Sequence, residues 1–188
     1  MFGATVIVTV LSAAALVVGT AIYNRLIALG RRCDQAAADI DVQLKLRHDL
    51  VPSLVETVKG YAGHERTALE DVIKARSSAL SAAPGPAKLE AEGMLGAALS
   101  RLMMLAEAYP ELKAEKRFAA LQEELAEIEY HVAAARRFLN AAAAEYNTTR
   151  EQFPSNVIAS LFTFPVRDSR SVPQESLQDL QIAPVVRF

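Results

Sequence analysis

Apolar and small residues dominate the beginning of the chain, and no side chain before Arg25 carries a charge. The stretch MFGATVIVTVLSAAALVVGTAIY, residues 1–23, would be about 33 Å long as a helix, which matches the ~30 Å hydrocarbon layer of a bilayer. This pattern predicts a transmembrane helix. A cleaved signal peptide fits less well, because no basic residue precedes the apolar run, although the small residues at 12–15 suit a cleavage site.

We call residues 1–23 the apolar block. A helical seam of apolar residues follows it, in which neighbouring members are three or four positions apart. Its members are Leu26, Leu29, Cys33, Ala36, Ile40, Leu44, Val51, Leu54, Val58 and Tyr61. Arg47 interrupts the seam. The pattern continues less regularly to the sequence SAAPGP at 81–86, where two prolines and a glycine end a helix. We therefore expect one long helix from residue 24 to the start of SAAPGP.

Two further apolar series predict two more helices. The first comprises Leu95, Leu99, Leu102, Leu105 and Ala106. It stops at Tyr109, because a residue that precedes proline avoids the helical region. Pro110 and Glu111 suit the first turn of the next helix. The second series keeps its three-and-four spacing throughout and comprises Phe118, Leu121, Leu125, Ile128, Val132, Ala135, Leu139, Ala142 and Tyr146.

The end of the chain predicts a short helix and a tail. Residues 153–162, FPSNVIASLF, indicate a turn with Ser155 or Asn156 as cap and then a short apolar helix. Residues 165–188 lack periodicity and predict a flexible tail. The fold class expected is all-α: an N-terminal transmembrane helix followed, over residues 24–164, by a long antiparallel helical bundle of three long helices and the short C-terminal helix.

Basic residues close to the apolar block predict its orientation. Arg25, Arg31 and Arg32 all follow the block, so the positive-inside rule places the helical domain in the cytoplasm and the N-terminus outside. We expect a single-pass protein of the inner membrane. Cys33 lies outside the block, which argues against a lipid anchor. As the one cysteine, it cannot form an internal disulfide, and a small buried hydrophobe is its usual role.

The stretch HDLVPSLVETVKGY, residues 48–61, places a proline inside the first long helix. Pro52 lacks the N–H that would bond the carbonyl of His48, and its ring crowds that carbonyl. We expect a kink that leaves this carbonyl for water or a side chain. The alternative is a break, with Asp49 capping a new helix that has proline near its first turn.

Composition and charge exclude several functional classes. The formal net charge of −2, the aromatic fraction of 6% and the lack of tryptophan give no footprint for binding nucleic acid. The chain has no glycine-rich phosphate loop and no paired-cysteine metal motif. It also has no Glu-x-x-His sequence, which di-metal helical bundles use. We therefore expect no cofactor, no metal site and no small-molecule substrate.

Histidines and carboxylates still require an interpretation. Glu127 and His131 are four residues apart, but apolar seam positions separate them from the interior, so a solvated face is the better interpretation. His48, Asp49 and Ser53 are close in sequence, yet no glycine-framed nucleophile turn accompanies the serine. These patterns favour a protein that is not an enzyme.

Polar positions on the helices are candidates for register or partner contacts. We predict that Asp41 or Asp49 pairs with Arg136 or Arg137 and fixes the register of the helices more than their stability. The sequences around Arg47 and His48 and at residues 122–129 are candidate surfaces for a protein partner, although solvated helix faces have the same pattern.

Five ordered motifs resemble the LemA family of bacterial membrane proteins. They are YNRLIAL, IDVQLKLRHDLVPSLVETVKGYAGHE, LMMLAEAYPELKA, ARRFLNAAAAEYN and FPSNVIASLF, and the resemblance as a whole covers roughly residues 20–165. The resemblance implies an N-terminal anchor and an antiparallel helical bundle in the cytoplasm, and it implies no enzymatic activity. One branch of the family is associated with magnetosome membranes, which implies a role in membrane organisation.

The pattern and the resemblance together predict a membrane-anchored, non-enzymatic scaffold or interaction module at the cytoplasmic face. Its expected partners are the lipid bilayer and either another protein or further copies of this chain, since the small residues at 12–15 and Gly19 permit close helix packing in the bilayer. One alternative is an accessory subunit of a membrane protease or transport system. The other, which the sequence favours least, is a metal-dependent enzyme.

Overall fold

The computed structural model describes residues 2–167, and every element in this part of the chain is a helix. The all-α prediction is confirmed there. Six helices follow in order: α1 (Phe2–Tyr61), α2 (Arg66–Ser81), α3 (Pro86–Ala106), α4 (Pro110–Lys113), α5 (Lys116–Glu151) and α6 (Ser155–Leu161).

The prediction of one long helix up to SAAPGP is wrong, because α1 ends at Tyr61 and α2 begins at Arg66. Ala62 still donates its N–H to the carbonyl of Val58 at 2.8 Å, and the chain then turns. A Cβ at Gly63 would lie 3.1 Å from the Lys59 carbonyl, so this turn favours glycine. Both helices contribute to one core, so the apolar seam continues across the turn. Periodicity alone therefore could not show the break.

The structure differs from the prediction at two further helix starts. Pro110 begins α4, but α4 is only four residues long and α5 begins separately at Lys116. The Glu115 carboxylate caps α5 by accepting the Phe118 N–H at 2.5 Å. The predicted cap of the last helix is wrong: α6 begins at Ser155, and its N-cap residue is Pro154, which makes no side-chain hydrogen bond.

Pro52 lies inside α1, and the helix is assigned without interruption from Phe2 to Tyr61. The alternative of a new helix capped by Asp49 is therefore wrong. The carbonyl of His48 accepts a hydrogen bond from Arg76 Nε on α2 at 2.7 Å. A side chain thus replaces the main-chain donor that proline lacks. The angle of the expected kink stays a prediction.

Residues 40–134 form one compact unit of the described chain. Its interior is built from α2, α3, α4 and the adjoining parts of α1 and α5. The largest apolar side chains with almost no exposed surface are Val51, Leu54, Val58, Val72, Leu95, Leu102, Leu112 and Val132. This is the seam that the sequence pattern identified, since most of these residues belong to the three-and-four series.

A second compact unit is formed by the described residues up to Asp39 together with residues 135–167. Its core is small and comprises Leu29, Cys33, Ala142, Ala143 and Tyr146, with Leu139 and Phe164 packed against them. Cys33 is buried, as its sequence context predicts. Most side chains of residues 2–22 are exposed in this unit.

The first residues of the predicted tail are bound to α5. Tyr146 donates its hydroxyl to the Pro165 carbonyl at 2.9 Å, and Arg150 donates from Nε to the Phe164 carbonyl at 2.7 Å. Asn147 bonds both the N–H and the carbonyl of Arg167. The side chains of the sequence EYNTTR therefore hold residues 164–167 in place. The rest of the predicted tail, residues 168–188, lies outside the described residues.

Candidate functional site

Two charged side chains and a histidine meet in the interior of the unit formed by residues 40–134. Arg47 and His48 of α1 are 3% and 5% exposed, and Glu92 of α3 is 2% exposed. Charged residues are rarely buried to this extent unless they are paired. We call Arg47, His48, Glu92 and Glu129 the polar cluster.

Arg47 is the centre of the polar cluster. Its Nη2 donates to Oε2 of Glu92 and, at 3.3 Å, to the main-chain carbonyl of the same residue. Its Nη1 donates to Oε1 of Glu129 on α5 at 2.7 Å. The Glu129 side chain is 44% exposed, so it connects the cluster to solvent. One guanidinium thereby joins three helices through charge-assisted hydrogen bonds.

His48 contributes a second donor to Glu92. Its Nε2 lies 3.0 Å from Oε1 of that carboxylate and 3.2 Å from Oε2. The hydrogen-bond geometry favours Oε2, although Oε1 is nearer. The carboxylate therefore faces donors from two consecutive residues of α1. This is possible on a helix because consecutive residues are only about 100° apart, so two long side chains can reach one carboxylate.

Two neighbouring positions complete the surroundings of the cluster. A Cβ at Gly96, one turn beyond Glu92, would lie 3.8 Å from Nη1 of Arg47, so the guanidinium packs beside a residue without a side chain. On the other side, the His48 carbonyl is occupied by Arg76. Two consecutive residues of α1, Arg47 and His48, thus make hydrogen bonds to α2, α3 and α5.

Two opposing energetic contributions act on the buried charges of the cluster. Removing two charges from water costs several kcal/mol per ion, and their attraction returns this only when the geometry is good. Loss of one partner is different, because it leaves an uncompensated buried charge at a cost of about 3–5 kcal/mol. A shift of α3 along α1 by one turn would separate Glu92 from Arg47 and would carry this cost.

The cluster offers no open site for chemistry. The side chains of Arg47 and His48 both bond the carboxylate of Glu92. No described nucleophile is hydrogen-bonded to His48. Among residues 2–167, no group of three His, Cys, Asp or Glu side chains is arranged to hold a metal ion. The pair of Glu127 and His131 lies on the surface at 3.7 Å, with both side chains at least half exposed.

The other predicted site residues lie at the surface. Asp41 accepts a hydrogen bond from Lys88 of α3 at 2.7 Å, a partner that the sequence did not indicate. Asp49 and Arg137 are exposed. Arg136 is half-buried and interacts with another group of the protein. The pairing of Asp41 or Asp49 with Arg136 or Arg137 stays a prediction.

Sequence reasoning missed Glu92 and gave Glu129 no specific role. A signal for Glu92 was present, because it lies three residues before Leu95 and therefore on the buried stripe of α3. Arg47 interrupts the seam of α1 in the same way. A cationic residue in the apolar stripe of one helix and an anionic residue in the stripe of another predict a buried ion pair if the two stripes pack against each other.

A groove lies beside Pro52 in the same unit. It has a volume of about 380 Å³ and is mostly apolar. Its lining side chains come from α1 and α2: Val51, Pro52, Val55, Glu56, Lys59, Ile73 and Arg76. Pro52 and Arg76, whose Nε donates to the His48 carbonyl, thus both line this groove.

Cys33 and Tyr146 form a further buried contact in the unit that contains residues 2–39. Burial raises the pKa of the Cys33 thiol, and the nearby Arg167 guanidinium opposes this by lowering it. Burial also raises the pKa of the Tyr146 phenol, again against the effect of Arg167. Arg167 is held by Asp34, whose carboxylate lies 2.7 Å from Nη1. Burial therefore favours the neutral form of both groups.

The described residues define an all-helical protein with one helix, α1, long and apolar enough to cross a membrane. The chain belongs to the LemA family, whose sequence profile matches residues 36–188. The match begins after the apolar block of residues 1–23.

Three curated relatives are magnetosome proteins. The chain is 24% identical to magnetosome protein MamQ 2 and to magnetosome protein MamQ 1 of Paramagnetospirillum magneticum, over 86% of this chain and 69% of each relative. It is 23% identical to magnetosome protein MamQ of Magnetospirillum gryphiswaldense, over 76% of this chain and 62% of that protein. The apolar helix and these relatives indicate a membrane-associated protein, and the relatives are not known enzymes.

Proposed function

We propose that the chain is a single-pass protein of the inner membrane whose helical domain acts as a non-enzymatic scaffold in the cytoplasm. The observation that carries this proposal is the continuity of α1. The same helix supplies the exposed apolar block and the residues around Leu29 and Cys33 that pack on α5. No linker separates them, so a domain built on this helix is held directly at the bilayer.

The orientation follows from charge. The apolar window of α1 has a mean hydropathy of 2.3 and none of it is buried within the protein. Arg25, Arg31 and Arg32 follow it and belong on the cytoplasmic side by the positive-inside rule. The N-terminus is then outside, and the long antiparallel bundle that we propose for the domain is inside.

A scaffold role accounts for the polar cluster better than catalysis does. Arg47, His48 and Glu92 are buried against one another, and a buried pair of this kind fixes the alignment of helices. A fixed alignment is useful in a protein that presents surfaces to partners. The magnetosome relatives support membrane organisation as the process, with self-assembly of the chain as its means.

The groove beside Pro52 favours a second candidate function, an accessory subunit of a membrane protease or transport system. A groove of about 380 Å³ with an apolar floor and the charged residues Glu56, Lys59 and Arg76 has the size of a small binding site. A peptide segment of such a complex would be its occupant.

Assembly size and co-purifying proteins separate these functions. The full chain, extracted from membranes in lipid nanodiscs, is weighed by mass photometry, and bound proteins and metals are measured. We expect an oligomer of this chain. A stoichiometric partner at the groove supports the accessory subunit, bound metal at one ion per chain supports an enzyme, and a bare monomer contradicts the scaffold.

A matched pair of variants tests the means of self-assembly. Ala14→Leu enlarges a side chain in the small-residue stretch of the apolar block, and Val17→Leu changes an exposed side chain of the same block. We expect Ala14→Leu to reduce assembly and Val17→Leu to leave it unchanged, because close approach of membrane helices requires small residues.

A further inference from the structure

A second charge-free segment lies near the end of the described chain. Residues 152–166, QFPSNVIASLFTFPV, have no charged side chain, and Glu151 and Arg167 flank them. Helix α6 occupies the middle of this segment. We call residues 152–166 the apolar hook.

The apolar hook packs against the last part of the apolar block of α1. Ile158 Cδ1 lies 3.7 Å from the position that a Cβ at Gly19 would occupy. The ring of Tyr23 meets the rings of Phe162 and Phe164 edge-on, with centroids 5.0 Å and 5.5 Å apart. These contacts place the hook alongside the last turns of the block.

Much of the apolar surface of the hook is exposed. Ala159 is buried and Ile158 faces α1, yet five larger apolar side chains of the hook remain in contact with the surroundings. Their exposed fractions are 83% for Phe153, 70% for Leu161, 61% for Val166, 59% for Phe162 and 48% for Val157. A patch of this kind on a polar protein marks an interaction site.

The depth of the hook identifies what covers this patch. Gly19 and Tyr23 are the last residues of a block that spans the ~30 Å hydrocarbon layer when α1 crosses the bilayer. Side chains that contact these residues lie at the boundary between acyl chains and headgroups. Amphipathic segments at that level bury their apolar face about 5–10 Å into the membrane.

We propose that the apolar hook is a second membrane-contacting segment, which lies in the plane of the cytoplasmic leaflet and inserts its exposed apolar side chains among the lipids. This inference rests on the proposed transmembrane helix. Tyr146, Asn147 and Arg150 bind the main chain at residues 164–167, so the hook is fixed to α5 on its other side. The unit is thereby attached to the bilayer at two places and does not rotate freely about α1.

Tryptophan fluorescence tests the proposal, because the chain has no tryptophan of its own. Single-tryptophan variants of the full chain are reconstituted in phosphatidylcholine and phosphatidylglycerol vesicles, with bromine on the lipid chains near either the headgroup or the terminal methyl. Leu161→Trp reports on the hook and Leu11→Trp on the middle of the apolar block. Phe138→Trp, 53% exposed on α5 and about 20 Å before the end of that helix, is the matched control.

Leu161→Trp is expected to lose at least about half of its emission with bromine near the headgroup, the depth of interfacial segments, and less with terminal bromine. Leu11→Trp should show the reverse order, and Phe138→Trp should keep its emission. Quenching of Leu11→Trp without Leu161→Trp overturns the hook and leaves the transmembrane helix intact. Quenching of neither overturns both.

Two further outcomes also overturn the proposal. A blue-shifted Leu161→Trp that bromine does not quench shows that protein, such as a second copy of the chain, covers the patch. Equal quenching of Phe138→Trp shows non-specific adsorption. Val166→Trp, at an exposed position of the hook, serves as the second probe if Leu161→Trp does not fold, as judged by far-UV circular dichroism.

Discussion

Arg76 Nε donates a 2.7 Å hydrogen bond to the main-chain carbonyl of His48, the carbonyl that Pro52 leaves without its helical donor. The arginine comes from α2, so a local defect in α1 becomes a link between two helices. The side chain of the same His48 contacts Glu92. His48 thus connects α1 to both α2 and α3.

A double-mutant cycle between positions 52 and 76 tests this link. Arg76→Met keeps the aliphatic stem and removes the donor, which we expect to cost about 1–3 kcal/mol because a buried carbonyl loses its partner. In the background of Pro52→Ala, the restored N–H supplies that carbonyl, so Arg76→Met should cost about 1 kcal/mol less. Urea unfolding of the detergent-solubilised chain gives the four free energies; additive values would contradict the link.

Glu92 and Glu129 should differ strongly in their contribution to stability. Glu92→Gln removes the buried carboxylate partner of Arg47 and leaves it only the half-exposed carboxylate of Glu129, and we expect a loss of about 3–5 kcal/mol. Glu129→Gln removes a half-exposed carboxylate from the same guanidinium, and we expect about 1 kcal/mol or less. The same unfolding measurement checks both.

The reverse experiment distinguishes register from stability. Arg47→Met combined with Glu92→Leu removes both charges, and we expect this double variant to be more stable than Glu92→Gln alone, since no uncompensated charge remains. If the double variant is the least stable of the set, the pair is a net source of stability and the register account is wrong.

Cys33 should react slowly with iodoacetamide in the folded protein. Burial raises its pKa, and the thiolate is the reactive form, so we expect alkylation at least about tenfold slower than in the urea-unfolded chain. A Cys33→Ala, Ser77→Cys variant carries an exposed thiol on α2 as control and should react at the same rate folded or unfolded.

The same pKa shift predicts a pH dependence. The pKa of Cys33 is higher in the folded protein than its ordinary value of 9.0, so the folded state holds the proton more tightly. Its contribution to stability is therefore complete below pH 9.0 and decreases as the pH rises above it. Cys33→Ala should show a smaller loss of stability in alkaline buffer; an equal loss would contradict the assignment.

Charge reversal tests the predicted surface pairs. Asp49→Arg combined with Arg137→Asp should restore part of what each single change costs, by about 0.2–1 kcal/mol if the two side chains interact. The Asp41 and Lys88 pair, whose side chains are 2.7 Å apart, is the positive control. Additive effects at positions 49 and 137 would reject that pairing.

The sequence predicted the apolar interior well, because burial of a stripe requires a three-and-four spacing that the residues display directly. Val58, Leu95 and Val132 were all assigned to seams and are buried. The break after Tyr61 was not predictable in this way. Both sides of the turn face one core, so the spacing persists while the backbone changes direction.

The polar cluster was harder to predict for a different reason. Arg47 was recognised as an interruption of a seam, but its partner, Glu92, is distant in sequence and on another helix. Periodicity assigns a residue to a face and does not show which faces meet. The contacts of Arg167 with Asp34 and Asn147 were missed for the same reason, since they join residues more than a hundred positions apart in one case.

The topology of the full chain in cells tests the central claim most directly. A fluorescent protein or alkaline phosphatase is fused after residue 188, since the first is active only in the cytoplasm and the second only outside it. We predict fluorescence, no phosphatase activity and resistance of the protein to extraction from membranes by alkaline carbonate. Phosphatase activity, or complete extraction, would contradict a single-pass protein with its helical domain in the cytoplasm.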